Sequence, residues 1–231
     1  MQKRILFPAI LIALLMFGGY GCMDKAENKQ QSINDAALAH MQEKYGEVFE
    51  YISPWGSILA NRNKVQMLVK CASLTDEIFV EANKIENEYI FSDNYVAVKY
   101  TPETNKLLQA AVDDFFTKSF VVCNISQKAL SPGLPADASF EQYCADSEAS
   151  LSATIFIPGS AFEETSVEKF SNKLAGSNMG ANIRFFAVDD NIYGTLKTDN
   201  IEDIVDGDNY LYFSVITIYD GSVQINPREV K

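Results

Sequence analysis

Histidine and tryptophan each occur once in the 231 residues, at His40 and Trp55. A Ser-His-Asp or Cys-His mechanism must therefore run through His40, and a zinc site rich in imidazole is excluded. Basic residues are also scarce, with 19 Lys and Arg against 31 Asp and Glu, a formal charge of −12. Nucleic-acid binders need a basic footprint to displace counterions from phosphates, so that class is excluded as well. Glycine-rich phosphate loops and a G-x-S-x-G elbow are missing, and Cys71, Cys123 and Cys144 never form a C-x-x-C pair. No cofactor and no metal site is expected.

Long apolar runs are confined to the start of the chain. Lys3 and Arg4 precede an apolar stretch from Ile5 to Phe17, followed by Gly18, Gly19, Tyr20 and Gly21 and then Cys22. A basic start, a short apolar run and small residues are the order of a signal peptide. As a helix the run would reach about 20 Å against a bilayer core of about 30 Å, too short for a permanent span. Cys22 directly after Gly21 resembles the lipobox of bacterial lipoproteins, with Gly19 where that family usually carries Leu. The resemblance implies a lipoprotein signal peptide over 1–21 and lipid attachment at Cys22, with the membrane as partner through that lipid. It also implies an extracytoplasmic, membrane-anchored location. Residues 22–32 are polar and suit a flexible tether. Without residues 1–21, 17 basic and 31 acidic residues remain, a charge of −14. An anionic membrane surface repels such a domain, so the lipid has to do the holding.

The remainder predicts an α+β fold, antiparallel sheets with helices packed on them. An N-terminal part is expected over 33–126 and a C-terminal part over 139–231. The stretch 127–138, with two prolines and a glycine, is the expected loop or boundary. Ala37, Met41, Tyr45 and Val48 recur at helical spacing, and Gly46 marks the end of a helix over 33–45. Strands are expected at 47–53, 65–74, 78–83 and 89–100, where Val65, Met67, Val69 and Cys71 alternate onto one face. Thr101-Pro102 opens a helix to about 118, and 120–126 is a further strand. Ser139 with Gln142 reads as a capping box, 151–157 as a strand, and Thr165 with Glu168 as the cap of a helix ending near Gly176. In the tail, strands 183–188 and 192–196 flank Asp189-Asp190-Asn191, and Asp199 with Glu202 caps a short segment. Strand 209–219 pairs with 223–225 across Asp220-Gly221. That long strand is apolar on both faces and should be central, with the helix at 166–175 covering one side.

Three fragments resemble penicillin-binding enzymes: Ser166-Val-Glu-Lys169, Ser92-Asp93-Asn94 and Lys197-Thr198-Asp199. Their order in the chain is wrong for that family, and Asp199 replaces its glycine, so helix capping is the better reading of Thr165 and Ser166. Asp203, Asp206 and Asp208 crowd around Gly207. Ile204 falls where a calcium loop needs an oxygen ligand, and a helix cap with a turn accounts for these acids. Trp55, between Pro54 and Gly56, is a weak ligand-binding candidate.

Lys44-Tyr45-Gly46 followed by Val48-Phe49-Glu50-Tyr51 also resembles uncharacterised surface lipoproteins of Gram-positive bacteria, a resemblance that implies no activity. The expected function is a non-catalytic binding or assembly module at the cell surface, with a protein or peptide as possible partner and no nucleic acid. A carboxylate-based hydrolase is the alternative, resting on acids that could pair in a cleft.

Overall fold

The computed structural model describes residues 31–56, 63–86, 88–177, 179–207 and 209–228. Cys22 and the expected signal peptide lie outside the described residues. Two compact units emerge, one from residues up to Thr75 with Glu81–Phe91, the other from Asp76–Val80 with Ser92 onward. The stretch 127–138 lies inside the second unit. There Leu130 and Leu134 are buried and the Leu130 amide donates to the Asp93 carbonyl at 2.8 Å.

The first unit opens with helix α1, already formed at residue 31 and running to 45. The last two residues of the expected tether therefore belong to a helix. Ile33, Ala37 and Met41 recur every four residues and are buried, forming the stripe that a helix presents to a core. Gly46 takes φ +71° and donates its amide to the Gln42 carbonyl, the left-handed cap that stops the helix. Val48, expected on the stripe, is beyond that cap and exposed. Four strands follow in the order β1 (Phe49–Pro54), β2 (Lys64–Cys71), β3 (Ile78–Ile85) and β4 (Glu88–Asp93), each beside its chain neighbour. Strands β1 and β2 are antiparallel, with an irregular register between Tyr51 and Ser53.

The expected strand 89–100 ends at Asp93, because its next residues turn the chain. Asp93 Oδ1 accepts from the Tyr95 amide, Asn94 Oδ1 from the Phe79 amide, and Asn94 Nδ2 donates to the Ser126 carbonyl. Side-chain bonds of this kind compete with a strand ladder. Helix α2 (Tyr95–Lys99) follows and runs almost directly into α3 (Thr101–Asp113). Thr101 donates to the Ala97 carbonyl instead of capping α3. Helix α3 stops short of 118, and Phe116 beyond it is buried against Phe185.

The rest of the second unit is one five-stranded sheet with its helices. Strand β5 (Phe120–Asn124) precedes α4 (Phe140–Cys144), whose Ser139–Gln142 capping box is reciprocal as expected. Strand β6 (Ser150–Pro158), helix α5 (Glu164–Ala175) and strand β7 (Gly180–Val188) form a crossover, so β6 and β7 are parallel. The chain thus has the expected α+β fold with helices packed on its sheets, and the one parallel pair makes this second, otherwise antiparallel sheet mixed. The residue that precedes helix α5 is Glu163, which makes no side-chain cap, and Thr165 already lies within the first turn, so Thr165 does not cap it. After β7 the chain turns into α6 (Asp190–Tyr193), capped by Asp189, in place of the expected strand 192–196. Glu202 lies in α7 (Ile201–Asp206) and reaches Arg184 instead of closing a box with Asp199. Strands β8 (Tyr212–Tyr219) and β9 (Ser222–Arg228) close the sheet through Asp220 and Gly221, both at positive φ, as a tight hairpin turn requires.

The strand order is β5-β6-β7-β8-β9. The middle of the sheet is therefore β7, and β8 is one strand from the edge. Phe170 on α5 and Phe116 after α3 both contact Phe185 on β7, and Val167, Phe170 and Leu174 of α5 are buried. This is the expected helix cover on one side. The other side is covered only at one end, where Phe156, Phe186 and Phe213 stack on neighbouring strands under Ile201 and Ile204 of α7. At the other end of β8, Tyr219 is exposed, so the expected cover on both faces is partial.

Candidate functional site

Side chains alternate along each strand, so register decides which residues meet on the less covered face. Phe120, Phe156, Phe186 and Phe213 lie opposite one another in sequence across β5 to β8, and α7 closes over them. The next row on that face is Val122, Thr154, Arg184, Val215 and Asn226, followed by Asn124, Ser152, Asn182, Thr217 and Gln224. The last five residues are polar and uncharged, and none of them is buried. At about 4.8 Å between strands, the row spans roughly 19 Å. Tyr219, paired with Ser222, stands one step further along and is 79% exposed.

Arg184, in the second row, is compensated. Arg184 Nε donates to Thr154 Oγ1 at 3.1 Å, and its guanidinium donates to both Glu202 oxygens, at 3.0 and 3.5 Å. The Arg184 hydrogen bond holds the Glu202 carboxyl below its usual range. Asn124 Nδ2 also approaches Thr154 Oγ1, at 3.4 Å, and Gln224 donates to Asn226 at 3.2 Å.

On the opposite, helix-covered side of β5 and β6 lies a cleft between Cys123 and Leu151 of the strands and Thr101 and Thr104 of α3, bordered also by Asn124 and Ser152. Thr101, Thr104, Ser126, Ser150 and Tyr143 add hydroxyls, and Cys123 adds a thiol. Burial pushes the Cys123 thiol up to about 11 and the Tyr143 phenol to about 12. Both are neutral near pH 7, and none of the other lining residues ionises. The narrow part holds about 20 Å³, room for one water-sized group. Thr104 is 7% exposed, and its Oγ1 is buried without a hydrogen-bond partner. A buried hydroxyl left unpaired costs free energy, about 1–3 kcal/mol by mutational measures.

Other sequence candidates lie elsewhere. Trp55 follows β1 in the first unit, 39% exposed, with its amide donating to the Gln66 carbonyl. His40 stacks on Phe91 with ring centroids 5.2 Å apart, a packing contact of α1 on β4. Asp93 and Asn94 shape the turn after β4, while Ser166 and Lys169 lie on α5. Asp203 accepts the Gly207 amide through its backbone carbonyl at the end of α7, and Asp208 lies outside the described residues. Among the described residues, no group of three or more His, Cys, Asp or Glu side chains is placed to hold a metal. Cys71, Cys123 and Cys144 are free thiols. A second cleft of about 170 Å³ brings Glu164 and Glu168 of α5 beside Tyr212, Ile225 and Pro227.

The polar row is not legible in the sequence because its five members lie on five different strands. Alternation within each strand was legible, but the register that aligns them is set by tertiary pairing. No family model, no curated protein and no solved structure matches this chain.

Proposed function

We propose that this chain is a non-catalytic binding module, held at the extracytoplasmic face of a bacterial membrane by lipid on Cys22. Its contact surface is the open face of the five-stranded sheet. The observation that carries the reading is the row Asn124, Ser152, Asn182, Thr217 and Gln224, kept in register yet left unburied on a sheet whose opposite face is packed by α5. Exposed amides and hydroxyls at fixed spacing suit recognition, since each offers directed hydrogen bonds without rearrangement. The anchor rests on the basic start, the short apolar run and the small residues before Cys22.

Hydrogen–deuterium exchange of the full-length protein, with and without washed bacterial cell envelopes, tests the surface. Protection is expected in peptides covering β6, β7 and β8, with β1 and β2 unchanged. Unchanged exchange across the second sheet removes this face from consideration. A fatty-acid label incorporated by the natural chain and lost in Cys22→Ala supports the anchor, and equal labelling of both refutes it.

A carboxylate-based hydrolase is the second reading, favoured by Glu164 and Glu168 sharing one cleft. It requires that Glu164→Gln or Glu168→Gln abolish a measurable glycoside hydrolysis.

A further inference from the structure

We infer that the outer edge of β9 captures an extended peptide whose basic side chains, at alternate positions, enter the groove between α5 and β9 that Glu164 and Glu168 border. This surface is separate from the open face, so the inference goes beyond the binding-module reading and does not depend on it.

The strand edge supplies the first argument. Strand β9 stands last in the second sheet, so one side of its backbone pairs with no described strand. Asp220 and Gly221 form a two-residue turn, which makes Tyr219 and Ser222 the first hydrogen-bonded pair. Antiparallel bonding then alternates. Ser222, Gln224 and Asn226 bond β8, whereas Val223, Ile225 and Pro227 turn their backbone groups outward. Val223 and Ile225 each offer a donor and an acceptor there, and Pro227 an acceptor. Protein edges are commonly blunted by a charge or a bulge. From Ser222 to Pro227 there is neither, since no residue is charged and the register with β8 is unbroken. Such an edge is a template on which an extended peptide adds as a further strand.

The groove beside the edge supplies the second. Ile225 and Pro227 lie on the helix-covered face, in register with Ile216 and Ser214, and with Val167 and Tyr212 they form the apolar floor of the cleft of about 170 Å³. Every second side chain of an added strand points to this same face. A long basic side chain lays its aliphatic stem on such a floor and carries its charged end to the carboxylates at the rim.

Charge supplies the third. Among the described residues, neither the Glu164 nor the Glu168 carboxylate has an ion-pair or hydrogen-bond partner, and no basic residue lines the groove. Lys169 and Lys173 fall on the other flank of α5, where Lys173 pairs with Asp114. Position 228 is in register with Phe213, on the opposite face of the sheet. With the chain at −12, the groove attracts a basic segment and repels an acidic one. Glu164 and Glu168 are one helical turn apart, about 6 Å along the axis, and alternate residues of a strand are about 6.7 Å apart. Basic residues separated by one position therefore match the two carboxylates.

Titration calorimetry of the full-length protein at low ionic strength tests this with the end-blocked hexapeptide T-K-V-K-V-T. The controls are T-E-V-E-V-T and T-V-K-K-V-T, the second placing its lysines on opposite faces of a strand. The alternating lysine peptide is expected to bind saturably and to slow amide exchange at Val223 and Ile225, and both controls should bind more weakly. Glu164→Gln combined with Glu168→Gln, both exposed, should weaken it about fivefold or more, as for two surface ion pairs. Absent binding, either control binding as tightly, indifference to the double variant, or unslowed exchange in β9 would each overturn the inference. Exchange in β9 that slows on raising the protein concentration alone would assign the edge to a second copy of the chain and overturn it too.

Discussion

Asn94 Oδ1 accepts the Phe79 amide at 2.7 Å, tying the turn after β4 back onto β3. The same side chain donates to the Ser126 carbonyl at 2.7 Å, and Asn94 is fully buried. Asn94→Leu keeps similar bulk and removes both bonds, leaving a buried amide and a carbonyl unpaired. Each such group costs about 1–3 kcal/mol. A clear fall in the urea midpoint is expected, and an unchanged midpoint would show that the turn does not depend on this side chain.

Phe213 stacks on Phe186 with centroids 4.5 Å apart and is 8% exposed. Phe213→Ala is expected to cost about 3–5 kcal/mol, a large share of a domain's stability. Trp55→Ala removes a partly exposed ring and should cost clearly less. Denaturant titration of both variants checks the order, and a smaller loss at Phe213 would move the core away from the aromatic row.

Burial pushes the Glu81 carboxyl up, but hydrogen bonds from Lys64, Gln66 and Asn83 and the Lys64 charge outweigh it, leaving it lowered from 4.5. A carboxyl lowered in the folded state contributes stability that is present above its unfolded value and lost as pH falls through the folded one. Between pH values of about 6 and 3, the natural protein should therefore lose more stability than Glu81→Gln. Parallel losses in the two proteins would contradict the lowered value.

The Cys123 thiol, raised to about 11, presents roughly a thousandth of its molecules as thiolate at a pH of about 8. Iodoacetamide should accordingly modify Cys71 well before Cys123, read by mass spectrometry of timed digests. Rapid modification of Cys123 would mean that the β5 end of the cleft opens to solvent.

Ser214 is fully buried, and its hydroxyl has no partner. Ser214→Ala removes an unsatisfied group from the packed side of β8 and should raise the urea midpoint slightly. A loss of stability would reveal a water bonded there.

What the sequence made legible was local chemistry. Gly46 after a four-residue apolar repeat, the Ser139–Gln142 box and the Asp220-Gly221 turn each act within a few residues, and each is found where the sequence places it. Tyr95, Val96, Ala97 and Val98 are all buried, so no helical stripe distinguishes helix α2 from a strand in the sequence. Asp93-Asn94, two side chains that bond nearby backbone, was the available signal. At 192–196 the expected strand gives way to α6, where capping by Asp189 outweighs strand propensity. The polar row depends on register between strands far apart in sequence, including a parallel pair, and no local pattern encodes that alignment.

Strand order in the second sheet repeats chain order from β5 to β9. No strand has to be threaded between two that are already paired, so the sheet can grow outward one strand at a time as the chain is made. Long connections of similar length return β6 to β5, β7 to β6 and β8 to β7, and all three precede the short β8–β9 hairpin. Loop entropy therefore sets the pace early, and the last strand adds at little cost. Assembly of this sheet should consequently be limited by events before β9 is added, leaving that last strand as the part that opens and recloses most readily.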